Sequence, residues 1–302
     1  MFEAIYGNEP IKKYLQKGIE QNQLPQTLLF AGIDGIGKSL FAKELAAHLL
    51  LSPRSADLHI LSPEGKSGLY AIDTLREMMT KEHAAPFESV GKVFILEDID
   101  RMQPAAANAL LKTLEEPTQD TTFILLSSHP SEILPTILSR CVVLNFQPLS
   151  QAEITRLLQE RGLPSNLAKL SQGSADRAFE LSQSPELDDQ RKIVFSILSK
   201  RPSYPELSLQ LKKLETLIEV EKEEDPVRFS RRIEYLLSHI LMWNRDQELR
   251  KLQVGEDLLF FPEEAGATPF PDMEQKLVKA RLSLQRNIKL SVLLEDLFIC
   301  KS

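Results

Sequence analysis

Gly32-Ile33-Asp34-Gly35-Ile36-Gly37-Lys38-Ser39 fits the phosphate-binding pattern G-x-x-x-x-G-K-[ST] at every defined position. The apolar run Thr27–Ala31 in front of it predicts a buried strand, while Leu40, Phe41, Glu44, Leu45 and His48–Leu51 behind it follow helical spacing. The glycines are therefore expected at a strand-to-helix turn. There, glycine allows the φ values that turn backbone N–H groups inward around phosphate oxygens, and the helix N-terminus adds partial positive charge. Gly32, Gly35, Ile36 and Gly37 supply this cradle; Lys38 is expected to reach the β- and γ-phosphates and Ser39 to ligate Mg²⁺. A nucleoside triphosphate, ATP first, is the implied ligand.

The rest of the chain bounds what can surround this loop. Its 302 residues suit about two domains, and 42% hydrophobic residues can build real cores. No stretch reads as a membrane span, and Met1–Tyr6 lacks the basic-then-apolar pattern of a secretory signal. Two cysteines, Cys141 and Cys300, cannot make a disulfide framework or a four-thiolate zinc site, so a reducing cytoplasm is expected and no zinc. The net charge of −7 argues against strong duplex binding by this chain alone, because nonspecific DNA affinity comes mainly from Lys and Arg at phosphates.

Strand and helix signals alternate through the first half, the pattern of a parallel sheet covered on both faces. Strands are expected at 27–31, 58–61, 92–96, 122–127 and 142–146, with helices at 11–21, 38–51, 72–81, 104–116 and, briefly, 133–138. Pro104 opens a well-punctuated helix that Pro117 stops. Beyond Pro148 strand signals disappear, and residues 151–184 read as a small helical unit with turns at Gly162-Leu163-Pro164 and Gln172-Gly173-Ser174. From about Pro185 the pattern is helical. Residues 228–250, with Arg231, Arg232, Arg245 and Arg250 among Leu236, Leu237, Ile240, Leu241 and Trp243, read as an amphipathic core helix. The charge run 219–225 reads as a solvated helix end, and 255–271 as a loop.

Hydrolysis at a phosphate loop also needs a second strand ending in carboxylates. Lys92–Leu96 followed by Glu97 and Asp98 provides one: Glu97 would be the metal-side residue, directly or through water, and Asp98 would face the attacking water. Ser127 and Ser128 close a third apolar strand with hydroxyls that could sense the γ-phosphate. Cys141 reads as a small buried apolar residue, since no His is placed to activate it, and His129, ahead of Pro130, as a turn residue.

Together the phosphate loop, the stretch Ala107-Asn108-Ala109-Leu110-Leu111-Lys112-Thr113-Leu114-Glu115-Glu116-Pro117 and Leu138-Ser139-Arg140-Cys141 resemble the bacterial DNA polymerase III clamp-loader subunits of the AAA+ class. The resemblance covers most of the first 150 residues. It implies an α/β AAA+ P-loop domain at 1–149, a small helical lid at 150–184 and an all-helical collar for oligomerisation at 185–302. It also implies delta and gamma or tau subunits as partners, with the sliding clamp and primer-template DNA met through the complex. In that family the Ser-Arg-Cys arginine completes a neighbour's ATP site, which assigns Arg140 an arginine-finger role in trans.

Three departures set this chain apart from the family's motor subunits. They place Asp then Glu at the acidic strand end, whereas Glu97 and Asp98 stand in the reverse order; misplacing both carboxylates by about an ångström is enough to cost on the order of 10²-fold. Residues 52–91 lack the motor subunits' four zinc-binding cysteines. Their second-sensor motif reads Gly-Ser-x-Arg, but Gly173-Ser174-Ala175-Asp176-Arg177 puts Asp176 at the arginine's position, and Arg177, the candidate substitute, points about 100° away on a helix. A subunit that serves a neighbour's site, with weak or no hydrolysis of its own, is the expectation. An active gamma-type motor and, farther off, a free-standing P-loop phosphotransferase are the alternatives.

Overall fold

The computed structural model describes residues 1–63, 69–165, 167–183, 185–219, 226–253, 255, 259–261, 272–285 and 290–298. It divides into two compact units, Met1–Ser182 and Gln183–Ser302.

In the first unit the strands are β1 (Thr27–Ala31), β2 (Leu58–Leu61), β3 (Lys92–Leu96), β4 (Thr121–Ser127) and β5 (Val142–Asn145). All pair in parallel, in the order β2-β3-β4-β1-β5. Every residue of β1 and β3 is buried. Because side chains alternate across a strand, a centre covered on both faces needs apolar residues throughout. Leu28, Phe30, Val93, Ile95, Ile124 and Leu126 point to one face, where they join Ile11 and Leu15 of α1 (Glu9–Glu20) and Phe41, Ala42 and Leu45 of α2 (Lys38–Leu49). Leu29, Phe94, Leu96, Phe123 and Leu125 point to the other, against Leu75 and Met78 of α3 (Ile72–His83), Ala106, Leu110 and Leu114 of α4 (Pro104–Glu115) and Ile137 of α5 (Pro135–Leu138).

Differences from the sequence reading lie at element ends. α1 begins at Glu9 rather than Ile11, with Pro10 in its first turn where a missing N–H does no harm. α2 stops at Leu49, leaving Leu51 at φ 55° and exposed. The helix expected at 133–138 starts only at Pro135, as α5, and a separate 3-10 turn at Pro130–Glu132 precedes it, each opened by a proline. On the edge strand β5 only Leu144 is buried.

The starts of β2 and β3 are tied by Asp57, whose carboxylate is 3% exposed and accepts the N–H groups of Phe87 (2.7 Å), Glu88 (2.9 Å) and Ser89 (2.8 Å). Burial opposes ionisation, but the three donors outweigh it and hold the carboxyl below its usual range. Its stabilisation is thus present above the unfolded value of about 3.9 and is lost as pH falls through the lower folded value. Asp57→Ala is expected to destabilise this unit by about 1–3 kcal/mol, since it removes the buried acceptor of three part-buried N–H groups. Thermal melts from pH 7 to pH 3 check both points: the wild type should lose its advantage over the variant only below about pH 4.

α6 (Gln151–Glu160), α7 (Leu167–Leu170) and α8 (Ala175–Gln183) follow the sheet, with Leu149, Ile154, Leu158, Ala168 and Ala178 as their core. A capping box between Ser150 and Glu153 starts α6.

The second unit is helical in its described residues: α9 (Pro185–Lys200), α10 (Tyr204–Glu219), α11 (Pro226–Lys251), α12 (Met273–Gln285) and α13 (Leu290–Phe298). Leu236, Leu237, Ile240 and Trp243 of α11 are buried, as an amphipathic core helix requires. Asp246, fully buried, accepts the Phe261 N–H at 2.7 Å, and Arg250 donates to the Phe261 carbonyl at 3.0 Å. The Arg231 side chain, Cys300 and most of the 219–225 and 255–271 stretches lie outside the described residues.

Candidate nucleotide site

The phosphate loop joins β1 to α2 at the carboxyl end of the sheet, the end where open α/β sheets bind ligands. Gly37 sits at the helix N-cap with φ 94°, in the left-handed region that glycine enters freely, and α2 has no side-chain cap. Its first-turn N–H groups have no side-chain acceptor at that cap, as phosphate binding requires. Gly35, at φ 73°, is needed for a second reason. A Cβ there would lie 2.2 Å from Ser174 Oγ and 2.8 Å from Asp176 Cβ. The start of α8 rests on the loop, with the Ala175 N–H donating to the Gly35 carbonyl at 2.7 Å.

Lys38 is only 7% exposed, and its ammonium donates to the carbonyls of Gly32 (2.6 Å) and Ile33 (2.8 Å) and to Ser128 Oγ (3.2 Å). The cation thus stands inside its own loop. Ser39 donates its hydroxyl proton to Glu97 Oε1 at 2.9 Å, which leaves the oxygen lone pairs for a cation. A hydroxyl and a carboxylate suit Mg²⁺, a hard ion that takes oxygen ligands and binds through one or two carboxylates plus phosphates. The residues present fit a Mg²⁺-nucleotide.

The acidic strand end holds more than the expected pair. Glu97 donates its N–H to the Leu61 carbonyl at 2.8 Å, its own carbonyl accepts the Tyr70 hydroxyl, and its Oε2 accepts from Ser62 Oγ at 3.0 Å. Tyr70 is buried, and burial with the acids Asp98, Glu97 and Asp100 nearby raises its pKa, so it stays a neutral donor. Asp98 adopts φ 49°, ψ 49°, a left-handed conformation that Asp tolerates better than most residues, and starts a 3-10 turn over Ile99–Arg101.

Asp100 in that turn accepts from Ser127 Oγ (2.6 Å) and the Ser128 N–H (3.2 Å), with His129 Nδ1 at 3.5 Å. Burial opposes its ionisation, but His129 and Ser127 outweigh that and lower its pKa. Of the two hydroxyls expected near the γ-phosphate, Ser127 is fully buried in this strut, whereas Ser128 meets Lys38 and Asp34. Tyr70, Ser62 and Asp100 were not singled out by the sequence reading. Only Asp100 left a signal, as a third acid one helical turn beyond Glu97.

Two further expected residues lie on α8 and just past α5. Arg177 donates its backbone N–H to Ser174 Oγ, while it is Asp176 whose backbone meets Gly35. Arg140, just past α5, places Nε (3.2 Å) and Nη2 (2.6 Å) on Glu115 Oε2 of α4 and Nη1 on the Thr136 carbonyl (2.9 Å). Its side chain keeps 28% of its surface open. Cys141 is half-buried, and burial pushes its thiol up to about 12, which suits a packing residue.

Residues 7–150 match the family model described as DNA polymerase III, delta subunit. The DNA polymerase III subunit delta' of Bacillus subtilis is 34% identical over 209 residues, which are 62% of this chain and 63% of that protein. The subunit tau of the same bacterium is 31% identical over 176 residues, 52% of this chain and 31% of its own length. The chain thus spans less than two thirds of these relatives. Among solved structures, a DNA polymerase III gamma subunit-related protein of Thermotoga maritima aligns over 96% of both chains at 19% identity with a TM-score of 0.46. The shared sequence lies in the part that carries the phosphate loop, the acidic strand end and Arg140: over residues 7–150 the chain is similar to the DNA polymerase III delta-subunit family.

Proposed function

We propose that this chain is a delta-prime-like subunit of the bacterial replicative clamp loader, supporting ATP-dependent loading of the sliding clamp onto primed DNA. One observation carries the reading: a built phosphate loop and the Leu138–Cys141 arginine motif lie together within the 7–150 family match. In this reading Gly32, Gly35, Ile36, Gly37 and Lys38 hold the phosphates of ATP, Ser39 and Glu97 face Mg²⁺, and Ser128 and Arg177 line the approach from the sheet and the lid. The bound Mg²⁺ supplies charge neutralisation on the β- and γ-oxygens. Arg140 works in a neighbour's site, where a guanidinium stabilises charge on the transferred phosphoryl group. Residues 1–149, 150–184 and 185–302 serve as nucleotide domain, lid and collar. The partners are delta and gamma or tau subunits in a cytoplasmic assembly that meets clamp and primer-template DNA. Among the described residues no helix is long and apolar enough to cross a membrane.

A second reading, an active motor subunit, draws on the complete set Lys38, Ser39 and Glu97 with its bonds in place. Reconstitution separates them. The chain is mixed with delta, gamma or tau subunits, clamp and primed DNA, and loading is followed with and without it. Loading that requires the chain, while the chain alone shows little ATP turnover, is the expected result; loading indifferent to its omission would sink the proposal, and robust turnover by the chain alone would promote the motor.

A further inference from the structure

We propose that Ser62 is a positioning residue for Glu97, holding the carboxylate in the plane a cation needs; the inference rests on the nucleotide-site reading above. β2 and β3 pair in parallel with Leu61 opposite Leu96, so Ser62 and Glu97 are the next residues in register. Leu61 and Leu96 both belong to the α3–α4 face of the core. Alternation then turns Ser62 and Glu97 to the opposite face, the one that α2 covers and where Ser39 stands in that helix's first turn.

Both carboxylate oxygens of Glu97 are thus gripped from separate elements, Oε1 by Ser39 at 2.9 Å and Oε2 by Ser62 at 3.0 Å. A carboxylate held at one oxygen can still pivot about its terminal torsion, which has a broad, nearly two-fold profile. A second hydroxyl removes that freedom. The backbone is fixed as well: the Glu97 N–H donates to Leu61, and the Tyr70 hydroxyl spans the Leu61 carbonyl at 3.2 Å and the Glu97 carbonyl. The β2 exit therefore sets Glu97 in position and Ser62 sets its orientation. Outer partners of this kind tune the affinity of a metal site without touching the ion.

The test is a titration of MgCl₂ into the full chain with a fluorescent N-methylanthraniloyl ATP, repeated in EDTA. Ser62→Ala is expected to raise the Mg²⁺ concentration at half-maximal signal by about tenfold, the low end for lost outer-shell bonds, and to leave nucleotide affinity in EDTA unchanged. Ser62→Thr, which keeps the hydroxyl, should restore the wild-type midpoint. An unchanged midpoint in Ser62→Ala, an equal loss in both titrations, or no rescue by Thr would overturn the role. A wild-type chain whose nucleotide binding ignores Mg²⁺ would instead overturn the nucleotide-site reading, and Ser62's part with it.

Discussion

Lys38→Ala is expected to weaken ATP binding by the isolated chain about 10²-fold or more, because charge-assisted hydrogen bonds to phosphate are each worth roughly 1.5–3 kcal/mol. Two effects add. The first is loss of the cation at the β- and γ-phosphates. The second is internal: the ammonium that bridges the Gly32 and Ile33 carbonyls to Ser128 disappears, so the loop loses one of its ties to the end of β4. Lys38→Met, which keeps the length of the stem but no donor, should fall almost as far, separating charge from packing. Fluorescent-nucleotide titration measures the affinity, and a melting curve checks that the sheet survives. ATP binding by Lys38→Ala equal to that of the wild type would remove the loop from any nucleotide role.

Slow turnover by the wild-type chain is expected alongside that binding. The strand end presents Glu97 and then Asp98, and Glu97 is already held between Ser39 and Ser62. Asp98 begins a 3-10 turn in a left-handed conformation, so its carboxylate projects from a backbone that has already left the strand line. A general base must stand within hydrogen-bond reach of its water, and a shorter side chain on a turned backbone works against that.

Most of the sheet was legible because its central strands are apolar apart from their end residues. A run such as Thr27–Ala31 or Lys92–Leu96 buries both faces, and the sequence shows that directly. The phosphate loop was legible for a different reason, since its glycines and Lys38 are required by local backbone geometry and by a charge. What escaped is non-local. Ser62 is an ordinary residue in a turn-rich stretch, and it gains meaning only when the β2–β3 register sets it beside Glu97. Tyr70 reads as one more aromatic until the fold buries it under the same acid's carbonyl. The start of α8 shows the converse. Sequence spacing drew attention to the side chain of Arg177, whereas the backbone of Ala175 and Asp176 also meets the loop, and backbone contacts leave almost no trace in residue type. The partial exposure of Val142 and Val143 is likewise a matter of β5 lying at the sheet's edge rather than of their chemistry.

Arg140→Ala is expected to lower ATP hydrolysis by the assembled loader by about 10²-fold or more, given that arginine fingers reach 10³–10⁵ in the best-studied cases. The isolated chain should keep its fold and its own nucleotide affinity. In the chain by itself the guanidinium lies against Glu115, whose side chain is 57% exposed, and exposed pairs of this kind contribute about 0–1 kcal/mol. A neighbour's triphosphate, carrying several negative charges, competes easily with one solvated carboxylate for the same donors. Release of Arg140 from Glu115 is thus a small barrier to the proposed work in trans. The same pair supplies the discriminating control. Were the arginine only an intramolecular tie, Glu115→Ala and Arg140→Ala would both remove the pair with Glu115, Arg140→Ala losing the Thr136 carbonyl bond besides, and would act in the same direction on the assembly. Working in trans, Arg140→Ala abolishes turnover, whereas Glu115→Ala leaves it intact or raises it by freeing the finger. Arg140→Lys should fail to rescue, since a point charge lacks the planar fork that spans two phosphate oxygens. Steady-state ATPase of the reconstituted complex with each variant reads all three, and equal losses in Arg140→Ala and Glu115→Ala would return the arginine to a structural role.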